Sequence, residues 1–215
     1  IDMDYSFLPK WQPHFISALA SEDRCHLNGL AMDNGKPRFV TALGSGDSPQ
    51  SWRENITHGG VLIDVESNEI LMEGLGMPHS PRIWDGKLYC LLSAKKQLIC
   101  IDPKSNKYEV VAKVPGFVRG MAKYGDYVFI GTSKLRKNSS TFRHLEIADK
   151  AAVAGITVIH LPTGAIVAKL QFQSSVDEIY DVQILPNILR PNIINTYGDT
   201  HHEALVIPNE TYWAQ

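Results

Sequence analysis

Three stretches of this chain repeat one plan, and the repeat constrains the fold more than any other feature. Residues 61–82 (VLIDVESNEILMEGLGMPHSPR), 98–120 (LICIDPKSNKYEVVAKVPGFVRG) and 156–181 (ITVIHLPTGAIVAKLQFQSSVDEIYD) each read as strand, tight turn, strand, linker and polar motif. The turns Glu66-Ser67-Asn68, Lys104-Ser105-Asn106 and Pro162-Thr163-Gly164 differ in residues but share turn chemistry, because Ser, Asn and Gly accept backbone conformations that most residues resist. A second pattern interleaves with the first. Asp85-Gly86 and Gly125-Asp126 each precede a strand, and Leu30–Gly35 opens an earlier copy, as hairpins require. Together the two patterns give four short strands per unit. Ile63-Asp64 and Ile101-Asp102 set a period of about 38 residues, the size of a four-stranded propeller blade.

The rest of the chain agrees with an all-β protein. Short runs rich in Val, Ile, Leu, Tyr and Phe recur at 38–43, 60–65, 87–92, 97–101, 107–114, 126–131, 156–161 and 165–172, bounded by Gly, Pro, Asp and Asn. The predicted fold is a β-propeller of four-stranded blades, about four to five of them, over residues 1–191, incomplete as a closed ring. A third copy of the repeat comes about 58 residues after the second, so about 20 residues, 134–153, read as an inserted loop with a helix-compatible stretch, HLEIADKAAVA. Residues 192–215 read as a closing strand or a tail. An open propeller exposes sheet edges, so a second copy or a partner chain is expected to complete the ring.

Charge narrows the partners. The net charge is -2, and the longest basic cluster is Lys134–Lys137, so neither nucleic acid nor an anionic membrane is an expected partner. The three cysteines, Cys25, Cys90 and Cys100, form no CxxC pair. Two of them sit in apolar strands, which points to free buried thiols and a reducing, cytoplasmic compartment.

In a propeller the inner strand of every blade lines the axis, so residues at matching places in the repeats converge. Those places are polar here: Asp23–Gly29, Pro78–Arg82, Val118–Gly120 and Asp177–Asp181. His26, His79 and Glu178 could ligate a divalent metal such as zinc, manganese or iron. Arg82 and Arg119, with Asn28 and Asp181, could instead hold a small anionic ligand. His26 or His79 could act as a general base. Against these stands a structural role: Glu178 and Asp181 could pair with Arg82 and Arg119 between blades. Convergence of His26, His79, Arg119 and Glu178 within about 8 Å, around room for a ligand, is the geometry a site requires. His201-His202-Glu203 is a weaker metal candidate. Two functions follow: a binding or scaffolding module, or an enzyme (lyase, hydrolase or epimerase) acting on a polar or anionic metabolite.

At these motifs the chain resembles a bacterial family, the domain of unknown function 4915. The resemblance rests on Tyr5–Pro9, Pro13–Ser17, Glu22–Gly29, Met77–Arg82, Pro115–Gly120 and Glu178–Val182. It implies a β-propeller fold and no particular reaction. Family members are expected to be longer, with blades ahead of the Tyr5 motif. Two positions depart from the expected pattern: Ala154 stands where a cysteine is expected, and Ala94-Lys95-Lys96 replaces a glycine-rich turn.

Overall fold

The structure is a computed structural model that describes Asp4 and residues 8–134, 154–174, 176–189, 191, 197, 204–207 and 210–213. The chain divides into two units, Ile1–Gln183 and Ile184–Gln215.

The first unit holds three four-stranded antiparallel sheets, each built from consecutive strands. Blade one comprises β1 (Leu27–Asp33), β2 (Lys36–Ala42), β3 (Gly60–Asp64) and β4 (Ile70–Leu75). Blade two comprises β5 (Pro78–Trp84), β6 (Lys87–Leu92), β7 (Gln97–Asp102) and β8 (Lys107–Lys113). Blade three comprises β9 (Phe117–Tyr124), β10 (Tyr127–Ser133), β11 (Gly155–His160) and β12 (Ala165–Gln171). These are propeller-like blades, none closed into a ring, and no α-helix occurs among the described residues. Of the expected four to five blades, three stand among the described residues: the fourth polar motif, Asp177–Asp181, is an extended segment paired into no sheet. Most of the inserted loop, residues 135–153, lies outside the described residues, as do His201-His202-Glu203. The second unit contains one hairpin, β13 (Ala204–Ile207) with β14 (Glu210–Trp213).

The turns explain themselves locally. The Asp64 carboxylate accepts from the backbone of Glu66 at 2.8 Å, and that of Asp102 from Lys104 at 3.0 Å; both are Asx turns at the same place in the repeat. Arg38 also binds the Asp64 carboxylate. Ser105 holds Asp102 as well, and this hydroxyl lowers the Asp102 pKa. Lys96 takes φ 56° after the 3-10 turn Ser93–Lys95, filling with a lysine the left-handed position where a glycine is usual.

Each blade buries one face against the next. Ala31, Phe39 and Leu62 pack on Leu88, Cys90 and Ile99; Tyr89, Leu91 and Leu98 pack on Met121, Val128 and Ile130. Alternation along the strands therefore serves both faces of blade two, so β6 and β7 are nearly continuous apolar runs. Each of these large side chains contributes about 1.5–3 kcal/mol by leaving water.

Candidate functional site

The polar motifs lie where the inner strands start, and the backbone there repeats. His26, Met77 and Gly116, each just ahead of an inner strand, have φ 54°, 54° and 115°. The left-handed residue turns the chain sharply from the preceding blade into the strand, so the following residues approach their neighbours closely.

Hydroxyl and amide groups then latch each blade to the next chain segment. The Thr41 hydroxyl donates to the Asn28 side-chain oxygen at 2.8 Å, and the Asn28 amide donates to the Pro78 carbonyl at 2.9 Å. The buried Ser93 hydroxyl donates to the Val118 carbonyl at 2.6 Å. The Ser133 hydroxyl donates to the Ile179 carbonyl at 3.2 Å and accepts from the Ile179 amide at 2.9 Å. The Gly120 amide adds a bond to the Ser80 hydroxyl at 3.0 Å. Gly120 has φ 70°, and a Cβ there would strike the Asp181 backbone. Glycine is required for the segment to come that close.

His79 belongs to this latch system. It is 4% exposed, and its Nδ1 lies 3.0 Å from the Met77 carbonyl and 2.8 Å from the Ser93 hydroxyl. A carbonyl only accepts, so Nδ1 carries the proton and serves both oxygens, which frees the serine proton for Val118. Burial, then the positive charges of Arg119 and His26, push the His79 pKa down to about 3. His79 is thus neutral at ordinary pH. The expectation of a catalytic His79 meets a side chain already engaged in holding two strands. Cys90, beneath it, donates to the His79 carbonyl at 3.3 Å, and burial pushes its thiol up to about 12.

His26 is different. Its Nδ1 lies 2.8 Å from one Asp23 oxygen and 3.0 Å from the other, while the Trp52 indole donates to Asp23 at 3.1 Å. The imidazole stands 4.6 Å from the Trp52 ring and is partly exposed. Its neighbours Arg24, Glu22 and Asp47 form an ion-pair cluster, Arg24 reaching each carboxylate at 2.7 Å. The Ser17 hydrogen bond, and then Arg24, hold the Asp47 carboxyl below its ordinary pKa.

Arg82 and Arg119 come together on one segment. The Arg82 guanidinium lies 3.4 Å from the Asp181 carboxylate, and that of Arg119 stands 4.6 Å over the Tyr180 ring. The expected interblade pairing thus holds for Arg82 and Asp181. Arg119 has an aromatic face instead, and no carboxylate within ion-pair distance among the described residues. Tyr180 is 59% exposed, so this cationic corner faces solvent. Glu178 lies in the same segment. Asn28 bonds Pro78 and Gly120 bonds Ser80, so the inner-strand starts of successive blades are neighbours.

A metal set does not gather. Among the described residues no three His, Cys, Asp or Glu side chains approach closely enough to hold an ion, so His26, His79 and Glu178 do not form one.

The Glu22–Gly29, Met77–Arg82 and Pro115–Gly120 motifs are therefore the inner-strand starts, and Glu178–Val182 is the extended segment latched to blade three. A family model described as a domain of unknown function (DUF4915) matches residues 1–194. The chain belongs to the DUF4915 family. No curated protein matches it. Among solved structures, that of the computationally designed Ika4 protein is similar over 81% of this chain and 88% of its own, at 11% identity and TM-score 0.45. That of the computationally designed Ika8 protein is similar over 75% of this chain and 41% of its own, at 11% identity and TM-score 0.42. No helix among the described residues of this DUF4915 chain is long and apolar enough to cross a membrane.

The latching serines and Tyr180 were not among the expected site residues. A signal exists for the serines: Ser93 and Ser133 both follow the second strand's apolar run of their blades. Nothing in the sequence distinguishes Tyr180 from a packing tyrosine.

Proposed function

We propose that this DUF4915 chain is a binding module that takes a small anionic ligand at the corner formed by Arg82, Arg119 and the Glu178–Asp181 segment. The observation that carries this reading is the Arg119 guanidinium, set over the Tyr180 ring, with no carboxylate paired to it among the described residues. A cation held on an aromatic face keeps its in-plane donors available for a carboxylate or phosphate. Arg82, held by Asp181 at a longer 3.4 Å, supplies a second cation that an incoming anion could share. Asn28 and His79 support the strands behind this corner and take no part in chemistry. Titration calorimetry with succinate and with inorganic phosphate tests the reading. Binding of either, weakened at least tenfold by Arg119→Ala and less by Arg82→Ala, is the expected result. No heat from either ligand at millimolar concentration would defeat it.

The enzyme reading has one observation in its favour, the Asp23–His26 pair. A carboxylate on Nδ1 orients an imidazole whose Nε2 could accept a proton. If this pair works on the bound ligand, His26→Ala abolishes turnover while leaving succinate or phosphate affinity intact.

A further inference from the structure

Among the described residues of the first unit, two sheet faces have no sheet of that unit against them, and together they match the junctions already formed inside it. The leading face of blade one exposes Leu27, Leu30 and Met32 at 48%, 43% and 47%. Leu27 and Leu30, with Trp11, Pro37 and Val40, border an open groove of about 820 Å³ beside β1. Farther out on the same face Trp11, Phe15 and Ile16 cover Ala42, Val61 and Ile63. The groove is thus the inner half of that face, and the outer half is filled.

The trailing face of blade three is the reverse. Its inner half is filled by Ile179, held on Ser133 and against Gly131. Its outer half is open. Strand register places Phe129, Val158 and Ala168 in one row, and Gly131, Ile156 and Leu170 in the next. Val128 and Ile130, between them in sequence, point the other way into the junction with blade two. The rows are apolar, and Leu170 is 52% exposed.

We infer that a second copy of this chain docks head to tail, its blade three trailing face on the blade one leading face. The inner segment of one copy, with its Ile179, enters the groove beside β1 of the other. Trp11, Phe15 and Ile16 of that other copy lie over the Ile156 and Leu170 row. Each copy supplies what the other lacks, and the new junction repeats the two inside the chain: aliphatic rows sealed beside an inner strand. Such a contact uses two different patches, so it propagates until it closes into a ring. It shares the Glu178–Asp181 segment with the anion site proposed above but does not need Arg119, so Arg119→Ala should lose anion binding and keep the assembly.

Sedimentation equilibrium tests this with Leu30→Asp and Leu170→Asp, both at exposed positions, with circular dichroism to confirm folding. The wild-type chain should sediment as a whole-number multiple of its mass, and each variant should lose that assembly. The two variants mixed should form a one-to-one dimer, because each keeps the face that the other has lost. Should either aspartate variant fail to fold, Leu30→Gln and Leu170→Gln give the same readout. A wild-type monomer at high micromolar concentration overturns the inference and points to the chain's own residues covering these faces. Folded variants that do not associate on mixing overturn it too.

Discussion

Ser93 and Ser133 do one job in two settings. Each ends the second strand of its blade, and each reaches the backbone of the next inner segment. Around Ser93 every polar group is buried and engaged, with His79 held neutral and Val118 fully enclosed. Around Ser133 the next segment carries Tyr180 and Asp181 out to solvent, where Arg119 and Arg82 meet them. The same latch is therefore a core element at one junction and the base of an accessible corner at the other. What differs is how much blade follows: a full sheet covers the first, a single extended segment the second. Polar residues at inner-strand starts are sealed where a sheet closes over them, and stay exposed where none does among the described residues.

The contrast can be broken most sharply at the serines' buried end. Ser93→Ala leaves the Val118 carbonyl buried without its donor, and should cost roughly 2–3 kcal/mol in chemical denaturation. A loss below about 0.5 kcal/mol would mean that the buried latch is no stronger than a surface hydrogen bond.

The next largest effect is on pH. The His79 pKa is about 3 in the folded chain, whereas an unfolded imidazole titrates near 6.5. Between those values the unfolded chain binds a proton that the folded chain refuses, so stability falls as pH drops from about 6.5 towards 3 and is flat above. The slope from this group approaches about 1.4 kcal/mol per pH unit within the window. His79→Gln should flatten denaturation midpoints measured between pH 4.5 and 6.5, relative to wild type. Equal slopes in the two proteins would place His79 in contact with water.

The smallest effect belongs to the open junction. Ser133→Ala should cost under about 1 kcal/mol, since water can replace its bonds to Ile179. It should weaken succinate or phosphate binding all the same, because Tyr180 and Asp181 depend on that segment for their positions. Full affinity in Ser133→Ala would separate the latch from the ligand corner.

The outer strands were legible from sequence because period-2 apolar patterning and Asp-led turns mark them plainly. Strands β2, β3, β6, β7, β8, β10, β11 and β12 fall where the apolar runs predict, within a residue or two. The inner strands were legible only by their polar starts, Pro78–Arg82 and Val118–Gly120. β5 and β9 carry proline, serine, arginine and glycine, and both bend at left-handed residues, Ser80 and Gly120, so they show no plain apolar run. The blade count was overestimated for a related reason. Asp177–Asp181 has the composition of an inner-strand start, yet no four-stranded sheet follows it among the described residues. The polar character of the inner-strand starts was legible, and Arg82 reaches Asp181 while Arg119 stands over the neighbouring Tyr180. Which histidine would be sealed was not, because the burial of His79 depends on the arrival of blade three, and no local pattern near His79 reports it.

The latches also run in one direction. Asn28 waits for Pro78, Ser93 for Val118, and Ser133 for Ile179, so in each of these three the latching side chain is made before the backbone it holds. A chain emerging from the ribosome would present each finished blade with a ready socket for the next inner strand, at separations of 50, 25 and 46 residues. Between Asn28 and Ile179 assembly then proceeds by short steps in chain order, each segment seating on a template already folded.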